Sequence, residues 1–365
     1  MKAKFLFFIA AALTSLMVGC GNDNTDDQKP NDEPVAQGLT LSVDCPSVEV
    51  NTPITFKVVK DGVDVTTQST FFDKSHDYVE VPNPFTPTLD GEYLFYAVVG
   101  EDSLLTNTVN VTVVPTPPAL PEDSNAANTS FNHHILLVDH TGTNCGYCPQ
   151  MMKALKEVSE TGDYHSKYYE AIAHSYNTND PAYSSTAASI SSALGVSGYP
   201  TLTYNFAHTT QSGYVASHIM GQIDILWKES AEAGIAASAS FAASSVVVNA
   251  EVKAAVSNEY RVNAWLLEDG IEATQINATE DWMNIHNNAI RQTAYSKHLS
   301  GYDLGTIEAG KTASLAMNLP ITTSKWNRDN MKVMVIASAK NANGKFDVVN
   351  VAICPIGGSV SYDYK

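Results

Sequence analysis

At 365 residues the chain is long enough for two or three domains, each with a core of its own. Hydrophobic residues make up 44% of it and charged residues 16%, against ~25% in ordinary globular proteins; Ser, Thr, Asn and Ala fill the difference, a profile suited to secreted, strand-rich domains. The net charge of −18 gives a surface that repels nucleic acid and anionic lipid headgroups, which excludes DNA, RNA and electrostatic membrane binding as functions.

The chain opens with Lys2 and Lys4 before an apolar run over 5–18, shorter than the ~20 residues a membrane span needs. The run ends Leu16-Met17-Val18-Gly19-Cys20, where a small residue before a cysteine resembles a lipobox, with Met17 in place of the usual Leu. Residues 1–19 are therefore expected to be a lipoprotein signal peptide, with the lipid on Cys20. An ordinary secretory leader followed by a chance cysteine is the alternative. Residues 20–37 are polar, acidic and Pro-containing, and are expected to form a disordered tether. Their acidic run also resembles the signal that sends Bacteroidetes lipoproteins to the outer face of the outer membrane.

Residues 38–114 read as a β-sandwich. Val48, Val50, Ile54, Phe56 and Val58 alternate with polar residues, and Asp61-Gly62 is a hairpin signal. Asp90-Gly91-Glu92-Tyr93 before Phe95 resembles the tyrosine corner of immunoglobulin-like sandwiches. Such a module implies a spacer. The prolines of 115–130 predict a semi-rigid linker.

Residues 131–234 predict an α/β layer. The continuous apolar run Ile135-Leu136-Leu137-Val138 suits a parallel strand buried on both faces. Met151, Met152, Leu155 and Val158 then recur at helical spacing, 169–174 and 201–206 read as strands, and 184–194 and 214–231 as helices, the last with Ile219, Ile223, Leu226 and Trp227 on one face. Strands return in 235–365, as a second sandwich, with Asn343-Gly344 as a hairpin signal.

The chemistry-bearing motif is Cys145-Gly146-Tyr147-Cys148, placed between the buried strand and a helix. Free amides at a helix start stabilise a thiolate on the first cysteine, and the second lies close enough to resolve a mixed disulfide. Half of a zinc site is the alternative, with His133, His134 and His140 as further donors, but no second Cys pair accompanies it and no metal or other cofactor is expected. Asp139 precedes Cys145 by six residues; a solvent-exposed strand-end acid is its bland reading.

Two further likenesses point to thioredoxins. Leu136-Leu137-Val138-Asp139 resembles the strand that carries their buried proton-transferring Asp, although Asn144 stands where they have Trp. Gly195-Val196-Ser197-Gly198-Tyr199-Pro200-Thr201-Leu202 resembles their cis-proline loop, which implies substrate docking by Tyr199, Pro200 and Thr201.

The run Thr141-Gly142-Thr143-Asn144-Cys145-Gly146-Tyr147-Cys148-Pro149 resembles the signature of thioredoxin-like outer-membrane lipoproteins of Bacteroidetes, the twenty-eight-kilodalton outer membrane protein family. His286-Asn287-Asn288-Ala289-Ile290-Arg291 and the strands of 326–349 extend the resemblance over roughly 131–356. It implies a fold class — multidomain, with an immunoglobulin-like β-sandwich, an α/β thioredoxin-like domain and a C-terminal β-sandwich — and a lipid-anchored address at the outer membrane, on the cell surface or the periplasmic face.

Among the remaining residues, Cys45 and Cys354 lie in strand-like runs and are expected to be buried free thiols, an inter-domain bridge being the alternative. His174 in a strand and His208 in a loop have no visible partner and are expected to be structural. The polar group His286, Asn287, Asn288 and Arg291 reads as a loop held by side-chain hydrogen bonds.

Two functions follow. In the first, Cys145 and Cys148 form a redox disulfide that exchanges with protein thiols and disulfides, Asp139 assisting proton transfer. In the second, the protein is a non-catalytic binding or adhesive surface lipoprotein and the same disulfide is a structural staple.

Overall fold

The computed structural model describes residues 38–100, 103–206, 208–210 and 214–365, with backbone alone for 208–210. The leader, Cys20 and the tether lie outside these residues. The described chain is mostly β-sheet, arranged in several layers, with three α-helices: α1 (Cys148–Glu160), α2 (Ser185–Ala193) and α3 (Ala216–Trp227). None of them is long and apolar enough to cross a membrane.

The N-terminal part is a sandwich of a three-stranded and a six-stranded sheet. Along Gly91–Val99 the side chains of Tyr93, Phe95, Ala97 and Val99 alternate inward, as the two-residue period of a half-buried strand requires. Phe56 stacks on Phe71 at 4.8 Å and meets Phe95 edge-on at 4.9 Å, which closes the core between the sheets. The alternation from Val48 to Val58 is split between two strands, because Asn51 adopts a left-handed conformation (φ 67°) that turns the chain between them. Asp61 and Gly62, both with positive φ, make the hairpin between Phe56–Lys60 and Val63–Asp64. The Tyr93 hydroxyl donates to the Leu89 carbonyl at 2.9 Å.

The Pro-containing segment after this sandwich is pinned along the C-terminal strands. Ser238 Oγ donates to Ala119 O at 2.6 Å, Asn249 Nδ2 to Pro118 O at 3.0 Å, and the buried Lys253 ammonium to Asp123 Oδ2 and Ala126 O, both at 2.8 Å.

The largest sheet has nine strands and takes members from both sides of residue 234. Its order is His208–Thr210, Thr201–Tyr204, Ile135–Thr141, Tyr168–His174, Ala289–Thr293, Asn258–Glu268, Met331–Lys340 and Phe346–Pro355, with Tyr302–Ile307 paired to Asn258–Glu268 off this path. Ile135–Thr141 and Tyr168–His174 are parallel, and Tyr168–His174 meets Ala289–Thr293 in parallel at Ile172 and Ala289. A four-stranded sheet (Thr312–Pro320, Ala233–Phe241, Ser245–Ala254, Gly358–Val360) packs on the C-terminal half, with Val248, Val252, Val262, Leu266, Val333 and Val335 between the layers.

Every residue of Ile135–Thr141 is buried, because helices cover both faces. Ile135 and Leu137 pack beneath α1 and α3, while Leu136 and Val138 face α2 and the C-terminal residues Trp265 and Ile290. Three sequence expectations shift here. Trp227 turns away from the buried face of α3 and is 42% exposed, its ring beside the Lys167 ammonium. His208 lies in a short strand rather than a loop. Cys45 is exposed in the turn between Leu39–Val43 and Ser47–Glu49, whereas Cys354 is buried; both are free thiols, so no bridge joins them.

Candidate disulfide site at the end of a buried strand

The chain leaves Ile135–Thr141 through a tight loop and enters α1 at Cys148. Gly142 is required there: a Cβ would come within 2.7 Å of Tyr176 Cβ. Asp180 Oδ2 accepts from Thr143 N at 2.8 Å, and Cys145 N donates to Gly142 O at 3.0 Å, which closes the turn. Pro149 suits the first turn of α1, where its missing N–H costs nothing. Cys145 and Cys148 form a disulfide, with Cα atoms 5.4 Å apart. Cys148 is the first helical residue, so Cys145 stands in the turn before α1 rather than at the helix start. The expected contrast in exposure is slight: Cys145 is 3% exposed and Cys148 is fully buried.

The opposite wall comes from the strand antiparallel to the first. Thr201 pairs with His140 and is buried, which sets Pro200 beside the start of the cysteine loop. The Tyr199–Pro200 bond is cis. The Tyr199 hydroxyl accepts from Ser175 Oγ at 3.2 Å and its ring lies 5.3 Å from that of Tyr176.

Asp139 is a buried acid, 2% exposed, and not a solvent-facing strand end. Burial, with a second contribution from the charge of Glu170, holds its carboxyl well above the usual carboxylate range. Glu170 lies two residues before Ile172, the register partner of Asp139. Its carboxyl is pushed up to about 7 by burial, against a hydrogen bond from Asn288 and the charge of Lys332. His174, assigned no partner in the sequence, sends Nδ1 to Asp180 Oδ2 at 2.8 Å. Burial alone would raise Asp180; hydrogen bonds from His174, Thr143 N and Ala182 N outweigh it and hold the carboxyl at about 2.

A strap from far along the chain reaches the cysteine loop. Ile276 N donates to Thr143 O at 2.8 Å, Gln275 Nε2 to Cys145 O at 3.1 Å, and Asn277 Nδ2 to Gly146 O at 3.0 Å. Gln275 is 2% exposed. The group His286, Asn287, Asn288 and Arg291 is hydrogen-bonded as expected but is not one loop, since His286 lies in the strand Ile285–His286 and Arg291 in Ala289–Thr293: His286 Nε2 meets Ala273 O, Asn287 Oδ1 accepts from Gly270 N, Asn288 N donates to Asp269, and Arg291 Nε pairs with Glu268 at 2.6 Å.

His133, His134 and His140, considered as zinc donors, are engaged elsewhere. His133 bonds Glu229 O, His134 bonds Asp363, and His140 bonds Ser191 and Thr203. No group of three or more His, Cys, Asp or Glu side chains is placed to hold a metal ion among the described residues. Sequence reasoning missed Glu170, Asp180 and the strap. Glu170 was within reach, since it shares the two-residue period of its strand with Ile172 and His174; nothing local marks the other two.

Residues 187–359 match the family described as outer membrane protein Omp28. That match begins after the disulfide, so it leaves out Cys145, Cys148 and Asp139. Among solved structures, HBP35 of Porphyromonas gingivalis shares the fold over 62% of this chain and 76% of its own, with a TM-score of 0.52 at 14% identity. A putative membrane anchored protein from Corynebacterium diphtheriae aligns over 90% of this chain and 62% of its own, with a TM-score of 0.22 at 9% identity. No match is found among curated proteins by sequence.

Proposed function

We propose that this chain, similar over its C-terminal half to outer membrane protein Omp28, is an outer-membrane lipoprotein that exchanges disulfides with other proteins through Cys145 and Cys148. The observation that carries the reading is the disulfide itself, set between a doubly buried strand and α1, with Asp139 behind it on the same strand. Pro200 and Thr201 on the neighbouring strand support it. We read this arrangement as thioredoxin-like. In the reduced form, thiolate Cys145 attacks a client disulfide and forms a mixed disulfide, releasing one client thiolate. Cys148 loses its proton toward Asp139 and attacks Cys145, releasing the second thiolate. The client gains two electrons and the cysteine pair becomes the disulfide; the reverse sequence oxidises a client. Tyr199, Pro200 and Thr201 dock the client backbone. Lipid on Cys20 would hold the chain to the membrane, the acidic tether would space it, and the N-terminal immunoglobulin-like sandwich would act as a spacer.

A non-catalytic binding lipoprotein is the second reading. It is favoured by the burial of both cysteines, by the strap bonded to their loop, and by a family match that does not need them. The reduction potential separates the two. A catalytic pair lies well above the roughly −300 mV below which structural disulfides sit. Alkylation of the reduced protein against pH, followed by an insulin reduction assay, tests the chemistry. Cys145 titrating near the free-thiol value of about 8.5, with no insulin reduced, would hand the case to the binding reading.

A further inference from the structure

A cavity of about 540 Å³ lies between α1, the sheet and the segment around Trp282 to Asn288. Its floor is the face of two neighbouring parallel strands that carries Asp139 and Thr141 on one, Glu170 and His174 on the other. A sheet face under a helix is ordinarily apolar. Here Asp139 Oδ1, Thr141 Oγ1 and His174 Nε2 are buried without a hydrogen-bond partner in the protein, and the three residues are 2%, 5% and 1% exposed. Each such atom costs about 1–3 kcal/mol unless an occupant satisfies it.

The chemistry of that occupant follows from the atoms. Nδ1 of His174 is committed to Asp180 Oδ2, which leaves Nε2 as the ring's unpartnered atom. Glu170 becomes a carboxylate as pH rises past about 7 and Asp139 adds a carboxyl oxygen beside it, so above that pH the floor favours a cation and disfavours an anion. A bare metal ion lacks a set of three His, Cys, Asp or Glu ligands among the described residues. A primary ammonium brings its charge and three N–H donors to the same point. Met152, Leu155, Tyr168 and Ile285 line the cavity and suit an aliphatic stem. The chain's own ammonium groups nearby are engaged elsewhere: Lys156 bonds Glu160 and lies over Trp282, and Lys332 bonds Asp269.

We propose that this cavity binds a primary alkylammonium group, supplied by a free amine or by a lysine side chain of another protein. The proposal does not need Cys145 and Cys148 to exchange disulfides. Binding should strengthen from pH 6 to pH 8 as Glu170 ionises; Asp139, Tyr168, His174, His286 and Lys156 line the cavity with it, and the charge of Lys332 also acts on it.

Isothermal titration of the full chain with n-butylammonium tests the site. The expected result is saturable one-site binding, with n-butanol and tetramethylammonium, which lack the charge or the donors, giving none. Glu170→Gln should weaken it at least tenfold and remove the gain between pH 6 and pH 8. Nα-acetyl-lysine amide tells the sources apart: tighter binding than n-butylammonium assigns the site to lysine side chains, and weaker binding assigns it to free amines. No saturable heat with n-butylammonium, equal heats with n-butanol, or an unchanged affinity in a folded Glu170→Gln variant would overturn the proposal and leave hydration as the cavity's occupant.

Discussion

Ile135–Thr141 is buried on both faces and Tyr168–His174 is buried or half-buried, yet the two faces of this pair treat polar groups in opposite ways. Toward α2, Leu136, Val138, Ala171 and Ala173 form an apolar surface. His140 on that face is satisfied at both ring nitrogens, by Ser191 at 2.7 Å and Thr203 at 3.2 Å. Burial holds it down at about 4, so it stays neutral near pH 7. Toward α1, Asp139, Thr141 and His174 each leave an atom without a partner, and Glu170 sits among them with its carboxyl at about 7. A satisfied buried histidine is a packing solution. A face that keeps several unsatisfied groups, beside a disulfide at the end of the same strand, bears a cost that packing alone does not require.

The largest effect expected concerns the disulfide at the end of the costly face. Cys148→Ser should leave Cys145 able to form mixed disulfides that cannot be resolved, and Cys145→Ser should form none. Non-reducing electrophoresis of extracts from cells carrying each variant reads this directly. Identical patterns for both variants would mean that the polar face serves something other than the cysteines.

The two faces should also give opposite pH slopes to stability. The folded-state value of Glu170 is raised from about 4.5 to about 7, so the folded chain holds a proton that the unfolded chain has lost. Its contribution is fully present below about 4.5 and is lost as pH rises to about 7, a change of roughly 3 kcal/mol. For His140 the folded value is lowered from 6.5 to about 4, so the unfolded chain binds the extra proton. Its contribution is present above about 6.5 and is lost as pH falls to about 4, by a similar amount. Urea unfolding at a series of pH values, as wild type minus Glu170→Gln and wild type minus His140→Gln, should give difference curves of opposite sign. Two flat curves would remove the physical distinction between the faces.

His140→Gln should also cost stability at pH 7, by roughly 1–3 kcal/mol, because the amide cannot reproduce both ring contacts in a packed site. Glu170→Gln at the same pH should be neutral or slightly stabilising, since it replaces a poorly solvated carboxyl. Midpoints of thermal unfolding at pH 7 would register the difference.

The sequence made one face far more legible than the other. The unbroken apolar run from Ile135 to Val138 can only suit a strand covered on both sides, and Asp139 was noticeable as the acid that ends it. Whether Asp139 faced solvent or a cavity depended on the neighbouring strand, and its register, which sets His174 opposite Thr141, is set by packing. The disulfide was legible from the two-residue spacing together with its place between a buried strand and a helix and the lack of a second Cys pair. Its near-complete burial was not, since it depends on a sheet that joins Tyr168–His174 to Ala289–Thr293 and so brings distant chain to the same edge. Trp227 fits the helical period of α3 as well as Ile223 does; the cation beside it, Lys167, comes from far earlier in the chain, just before the strand Tyr168–His174, and draws the ring outward.

The smallest effect expected concerns the strap, which closes the same end of the sheet that the unsatisfied face approaches from below. Gln275 and Asn277 hold the carbonyls of Cys145 and Gly146 through side-chain amides, and Ile276 holds Thr143 through its backbone. The double variant Gln275→Ala and Asn277→Ala removes the first two bonds and leaves the third. Each is worth about 1 kcal/mol net, so losing both should let the loop open roughly thirtyfold more often. If opening limits attack on a disulfide whose first cysteine is 3% exposed, dithiothreitol should reduce the variant up to roughly thirtyfold faster, followed by timed alkylation and mass measurement. Glu170→Gln, on the neighbouring strand in register with Leu137, should leave that rate unchanged. A double variant reduced at the wild-type rate would mean that the strap only packs against the loop, and that access to the disulfide is set from the Pro200 side.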